Sequence, residues 1–347
     1  MQHPYFELRD VDRRFWAERV EPHLPDRVFD AHRHVWLAEH VDPIPPERKR
    51  RQWAAEVAGP ESLEMTALGY ELVFPGRRVS FLAFGSPHRE CHLEENNAYL
   101  SEGLEGTESA ALALSDPQWS AERLLAELRR PRILGIKPYQ DLIPGYEGGA
   151  VSVFDFCPRE HLEVLDDLGA WLTLHLPRAE RLADPRNLRE MREIRRRYPK
   201  VVLVVAHLGR SYAGRYARHG LPALQEDEGV FFDTSAVLNP AVYAVALDRI
   251  GPRRLLFGSD FPILYMRGRR RWEGDRYINL TSGDYDWNRD RQPPEVEATY
   301  TLFIYEAVAA CLDTCLCLGY GDEEIAAVFH DNARRLADAV LAAKERW

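Results

Sequence analysis

Eight short apolar runs, separated by stretches of helical period, constrain this chain more than any other feature. The runs are Val28-Phe29-Asp30, Val79 to Phe84, Ser109 to Leu114, Ile133 to Lys137, Trp171 to Leu174, Val201 to Ala206, Val230 to Asp233 and Leu255 to Gly258. Between them lie amphipathic segments such as Ala121 to Arg130, Arg159 to Leu168, Pro185 to Tyr198 and Pro240 to Ile250. Strands that alternate with helices pair in parallel, because each helix carries the chain back to the same end of the sheet. In Pro185 to Tyr198, Leu188, Met191 and Ile194 make one apolar stripe, which leaves Arg195-Arg196-Arg197 on a solvated face. Eight such units predict an α/β fold, a (β/α)8 TIM barrel.

The chain has 347 residues, 45% of them hydrophobic, enough for a large core. That length allows two domains of ~150 residues, but α/β barrels of this size commonly form one. The expectation is a single domain over 1–347, with a core at 26–340. A net charge of −10 repels polyanions and argues against a nucleic-acid partner. Residues 1–10 contain no apolar stretch, and no run approaches the ~20 apolar residues that span a bilayer. A soluble, cytoplasmic protein is expected, with a small-molecule substrate, no membrane partner and homodimerisation left open. The five cysteines are sparse and odd in number, unlike a disulfide framework. Cys311, Cys315 and Cys317 alternate with Leu312, Leu316 and Leu318, which favours a buried helix over a thiolate metal site.

Two regions exceed what a barrel needs. Residues 38–78 are rich in Pro, Glu and Arg. Residues 261–298 carry Arg267, Arg269, Arg270 and Arg271, then Trp272, Tyr277, Tyr285 and Trp287. Both loop excursions follow the C-terminal ends of strands, the rim where barrel enzymes place catalysis, and long loops there serve as lids or partner surfaces.

Polar residues of one kind recur at the strand ends. His32 and His34 close the first run, and a period of two puts both on one face, here the inside of the barrel mouth. His175 ends the fifth run, His207 the sixth and Asp260 the eighth. A lone histidine in such a place is more often a hydrogen-bonded structural residue, and a lone aspartate can cap a helix. Five at equivalent positions of one barrel converge, and imidazoles with a carboxylate make a divalent-metal site with N/O ligands.

Several segments carry a resemblance to a known family. They are Phe29-Asp30-Ala31-His32-Arg33-His34, Gly135-Ile136-Lys137, Leu174-His175, Ala206-His207-Leu208-Gly209, Leu256-Phe257-Gly258-Ser259-Asp260-Phe261-Pro262 and Asn332-Ala333-Arg334-Arg335-Leu336. Over about residues 26–340 the chain resembles the amidohydrolase superfamily, in its branch related to aminocarboxymuconate-semialdehyde decarboxylase. The resemblance implies one divalent metal, zinc or manganese, on His32, His34, His175 and Asp260. It places His207 beside the metal-bound water as proton carrier or electrostatic helper, with Asp260 as proton shuttle.

Lys137 is open to three readings: a carbamate bridging two metals, a contact to a substrate carboxylate, or an ordinary rim lysine. Arg178 and Arg210 are candidate anion-binding forks, each weighed against an exposed loop arginine. Trp36 and Tyr139 are candidate pocket walls, and Arg33 points to the opposite face of its strand as a structural residue. The expected reaction is hydrolysis of a C–N or C–O bond in an amide, lactam or lactone. The alternative is non-oxidative decarboxylation of an unsaturated or aromatic acid, which the same ligands serve. A non-catalytic scaffold barrel is the third reading, disfavoured because no ligand is missing.

Overall fold

In a computed structural model describing residues 3–50 and 53–347, the eight runs form one parallel sheet in sequence order. The strands are β1 (Arg27–His34), β2 (Arg78–Phe84), β3 (Ala110–Ala113), β4 (Ile133–Ile136), β5 (Trp171–Leu174), β6 (Val202–Val205), β7 (Val230–Asp233) and β8 (Leu255–Leu256). The ring closes where β1 meets the segment after β8. Ala31 N donates to Phe257 O at 2.8 Å, Asp260 N to His32 O at 2.9 Å and His34 N to Phe261 O at 2.9 Å. The fold is the expected (β/α)8 barrel.

Among the described residues the longer helices are α1 (Leu63–Val73), α2 (Leu93–Gly103), α3 (Ala121–Leu128), α4 (Arg159–Leu168), α5 (Pro185–Arg197), α6 (Gly214–Gly220), α7 (Pro240–Ile250), α8 (Phe303–Cys317) and α9 (Asn332–Lys344). Their starts obey local chemistry. Asp184 accepts from Arg186 N (2.8 Å) and Asn187 N (3.3 Å) ahead of Pro185, and Asn239 accepts from Ala241 N (3.0 Å) ahead of Pro240. Strand side chains alternate between two cores. Leu172 and Leu174 join the helices in the outer one, while Trp171 fills the barrel with Phe84, Leu112 and Val204. Gly135 is required on β4, because a Cβ there would stand 1.8 Å from the Trp171 carbonyl oxygen. Lys344 of α9 donates to Ile133 O (2.9 Å), so this helix covers the N-terminal end of the barrel.

β1 departs from simple alternation. Phe29 and Ala31 belong to the barrel interior, yet His32 and His34 also face inward, beside the Phe84 ring. A register shift between Asp30 and Arg33 reverses the phase of the strand and lets both pairs point in. Arg33 therefore turns outward, buried against Glu61 (2.6 Å) and the Tyr265 hydroxyl (3.0 Å), as its position in the sequence predicts.

Residues 38–78 include α1, an ordinary barrel helix, so the true excess ends near residue 62. Residues 261–298 hold more order than a loop. β9 (Arg267–Glu273) and β10 (Arg276–Thr281) form an antiparallel hairpin around Gly274, and β11 (Thr301–Leu302) pairs with the other edge of β9. The hairpin lies on the barrel mouth. Trp272 Nε1 donates to Tyr212 O (2.8 Å) beyond β6, and Arg270 Nη1 to Ala236 O (2.7 Å) beyond β7. Cys311 and Cys315 are buried in α8 as free thiols, while Cys317 is exposed. Among the described residues no helix is long and apolar enough to cross a membrane.

Candidate active site

Hydrogen-bond acceptors behind the imidazoles of β1 decide which nitrogen faces forward. His32 Nδ1 lies 2.8 Å from Asp233 Oδ2, and His34 Nδ1 lies 2.8 Å from the Gly85 carbonyl oxygen. Carboxylate and carbonyl oxygens only accept, so both Nδ1 atoms carry the proton and donate it. Both Nε2 lone pairs are left free. They meet at Asp260, 3.5 and 3.7 Å from its Oδ1. Among the described residues, His32, His34 and Asp260 form one group of donor atoms within 4.8 Å of one another; His32, His207 and Asp233 form a second. His175 joins neither group. Its half-buried ring stands 5.4 Å from His207 and 6.1 Å from Tyr139, at the edge of the cluster.

The segment after β6 runs through four left-handed residues, His207 (φ 57°), Leu208 (48°), Gly209 (68°) and Arg210 (60°), and Asp260 (58°) shares that conformation. A left-handed backbone costs a residue with a Cβ roughly 1–2 kcal/mol and persists only where its surroundings impose it. Here His207 N donates to Asp233 Oδ1 (2.8 Å), and Asp260 N is held by His32 O. His207 Nδ1 lies 3.1 Å from the Ser235 carbonyl oxygen and 2.8 Å from Ser235 Oγ, whose hydroxyl donates to Asp233. His207 thus also presents Nε2 as a lone pair. In its neutral form it accepts a proton there, and it offers an N–H to an oxyanion only after doing so.

Asp233 is the residue that sequence reasoning missed. It accepts from His32 Nδ1, His207 N, Ser235 N and Ser235 Oγ, tying two histidines to one carboxylate. Its signal was position alone, since it closes β7 as the histidines close their strands. Carboxylates behind ligating histidines fix their orientation, and losing one typically lowers metal affinity 10- to 100-fold. Asp233→Asn is therefore expected to weaken metal retention by about that factor in competition with a chelator; unchanged retention would remove Asp233 from the site. Asp30 performs a similar service at the seam. It accepts from Ser259 N (2.8 Å), His32 N (3.0 Å) and the Tyr70 hydroxyl (2.6 Å), locking the strand of the histidines to the segment bearing Asp260. Gly258 permits this approach, because a Cβ there would stand 2.8 Å from that of His32.

The other candidates divide. Lys137 is fully buried, its Nζ without a hydrogen-bond partner, 4.9 Å from the Phe84 ring and 5.3 Å from that of Tyr139. Burial draws its pKa down to about 8 against the pull of Asp233 and Asp260. Tyr139 stands between His34 (6.3 Å) and His175, and Trp36 sets its ring edge-on to His34 at 6.4 Å. Arg210 donates to Leu176 O (2.8 Å) and is the strongest charge acting on His175. Arg178 is not brought to the site. It pairs with Asp184 (3.3 Å), the cap of α5, because that carboxylate is its local neighbour in sequence.

Burial sets the protonation of the cluster. It pushes His32, His175 and His207 well below the usual imidazole range and His34 to about 3. It raises Asp260 to about 8, with Asp233 and Asp30 adding to the rise and Lys137 opposing it. Neutral imidazoles around a carboxylate short of positive charge are a donor set suited to a divalent cation. The buried His32 Nε2 has no hydrogen-bond partner, and a cation between it and Asp260 would satisfy both, so the residues fit a metal. In the metal-free protein each imidazole binds its proton only on unfolding, whose pKa is near 6.5. Stability is expected to fall as pH drops below about 6.5, the four imidazoles of the cluster outweighing its two raised carboxyls, Asp260 and Asp30, which act in the opposite sense. Melting temperatures of chelator-treated protein at pH 7 and 5.5 check this; equal values would contradict it.

No curated protein matches the chain, but solved structures do. An amidohydrolase from Burkholderia multivorans with bound zinc shares 17% identity over 90% of this chain and 99% of its own, with a TM-score of 0.58. A probable 2-pyrone-4,6-dicarboxylic acid hydrolase from Acinetobacter baumannii shares 14% over 90% and 99%, with a TM-score of 0.56. A dihydroxybenzoic acid decarboxylase from Polaromonas sp. JS666, with bound manganese and 2-nitroresorcinol, shares 14% over 90% and 97%, with a TM-score of 0.55. At these identities the likeness is one of fold. The amidohydrolase family model matches residues 29–337, from the first barrel strand into the last helix. The chain belongs to the amidohydrolase family and is an enzyme.

Proposed function

We propose that this enzyme hydrolyses a C–O or C–N bond beside a carbonyl, in a lactone, lactam or amide of a small carboxylated substrate. The observation that carries the reading is the convergence of the His32 and His34 lone pairs on Asp260, with Lys137 buried behind them. His32, His34, His175 and Asp260 would hold one divalent ion, zinc first and manganese second, the metals carried by two of the structural neighbours. When bound, such an ion makes water a competent nucleophile at neutral pH and polarises a carbonyl oxygen. Asp260 accepts the proton of the attacking water and returns it to the leaving alkoxide or amine. His207, anchored through Nδ1, takes a proton at Nε2 from solvent before the attack, donates that N–H to the developing oxyanion, and returns the proton to solvent when the product leaves. Lys137, with no partner of its own, binds the substrate carboxylate, and Arg210 supports it beside His175. Tyr139 and Trp36 flank the space.

One observation favours a second reading. Two cations, Lys137 and Arg210, attend the site, and a decarboxylase must hold its carboxylate with such groups. Turnover of lactones and of aromatic acids in ¹⁸O-labelled water, with CO2 monitored and metal measured, separates the two. Hydrolysis puts solvent oxygen into the organic product with no CO2, at about one ion per chain. Release of CO2 without that oxygen would end the hydrolase assignment.

A further inference from the structure

A cavity of about 200 Å³ opens beside His34. Its walls include Trp36, Val41 and Ile44 from the chain following β1, Ala55 and Ala58 further along, and Pro87 after β2. None of these side chains carries a charge. Most belong to residues 36–60, the excess of the first excursion over what the barrel requires. That excess has a use if it encloses something the barrel alone would leave in water. An apolar cavity of ~150 Å³ holds benzene, so this one has room for a six-membered ring and a substituent. One polar group stands out in the wall. His88 lines the cavity; its Nδ1 is buried without a hydrogen-bond partner, which leaves Nε2, itself in no hydrogen bond, as the nitrogen a bound group can reach. Burial holds that imidazole neutral, with a pKa of about 4, against the pull of Asp141.

We infer that this cavity binds an uncharged, phenyl-sized ring of the substrate, with His88 hydrogen-bonding a hydroxyl or carbonyl carried by that ring. The substrate is then a ring-bearing acid derivative whose reacting carbonyl lies toward Asp260 and whose ring lies beyond His34. Naming the occupant as substrate rests on the hydrolase reading above; the affinity for a ring does not.

The test is calorimetric titration of the purified full-length protein with benzyl alcohol, toluene and, as a polar control, glycerol. One benzyl alcohol and one toluene are expected to bind per chain, and no glycerol. Ala58→Phe and Val41→Phe fill the cavity from separate walls. Each is expected to weaken both aromatic probes roughly ten- to hundredfold, the worth of burying an aromatic side chain. Far-ultraviolet dichroism and melting confirm that each variant is folded. His88→Leu should weaken benzyl alcohol and leave toluene unchanged. Failure of the folded wild type to bind either aromatic probe, or filled variants that bind as well as the wild type, would overturn the inference. The titration needs no turnover, so ring binding without hydrolysis counts against the hydrolase reading alone. Hydrolysis that shows no preference for ring-bearing over ring-free lactones counts against the cavity's role alone.

Discussion

The His207→Asn enzyme is expected to turn over about 10²–10⁴-fold more slowly than the wild type while keeping its metal, the usual share of a positioned acid–base group. Asparagine is the replacement that isolates the chemistry. It tolerates the left-handed backbone at φ 57°, its backbone N–H still reaches Asp233, and it lacks only the basic Nε2. His175→Asn should instead release the ion, because it removes one donor from a small set. Elemental analysis beside kcat reads both effects. If His207→Asn strips the ion as thoroughly as His175→Asn, His207 is a ligand and the roles must be redrawn.

Replacing Glu61 with alanine is expected to destabilise the fold by about 3–5 kcal/mol, the cost of leaving a buried charge without its partner. Arg33 is fully buried, 2.6 Å from Glu61, with the Tyr70, Phe261 and Tyr265 rings 4.5, 5.0 and 5.9 Å from its guanidinium. Glu61 also meets His3 Nε2 (3.2 Å) and the Tyr265 hydroxyl (3.0 Å). Three distant pieces of chain thus share one carboxylate behind the strand that carries His32 and His34. The double replacement Arg33→Met with Glu61→Leu removes both charges and should recover most of the loss. Denaturant unfolding measures the set; a loss below ~1 kcal/mol in Glu61→Ala would show that the pair is solvated and weak.

The barrel was legible because each strand is an apolar run closed by a polar residue, a pattern set by burial on both faces. The bounds of β5 and β7 and of α4 and α7 match the periodic segments, and the five strand-end residues all lie at one mouth. What the sequence hid depends on register and distance. The phase reversal in β1 follows from a bulge that no local signal marks. Asp233 acts only through partners on β1 and beyond β6, so its residue type alone was silent. Arg178 stands on a loop after a strand end, which suits an anion site, and nothing in the sequence marks Asp184 as the partner that holds it away. The hairpin of β9 and β10 falls in a stretch that the sequence marks as a loop excursion, although Gly274-Asp275 between its two arms is a turn signal. Of the ring cavity only Trp36 and its neighbour His34 are legible, since most of the other walls are apolar residues from segments with no periodicity.

The barrel closes where its reactive groups gather, and this ties assembly to loading. Ser259 and His32, in contact across the seam, are 227 residues apart in the chain, so His32 and Asp260 become neighbours only when the first strand and the last are joined. An ion held by both sides would bind the closed ring and not the open one, and mass action would then make it a clasp whose grip grows with its concentration. Stripping the ion should loosen the two ends of the polypeptide before its middle, with amides of β1 and the Gly258–Phe261 segment exchanging first. In such an enzyme the cofactor decides both whether chemistry is possible and how long the circle stays shut.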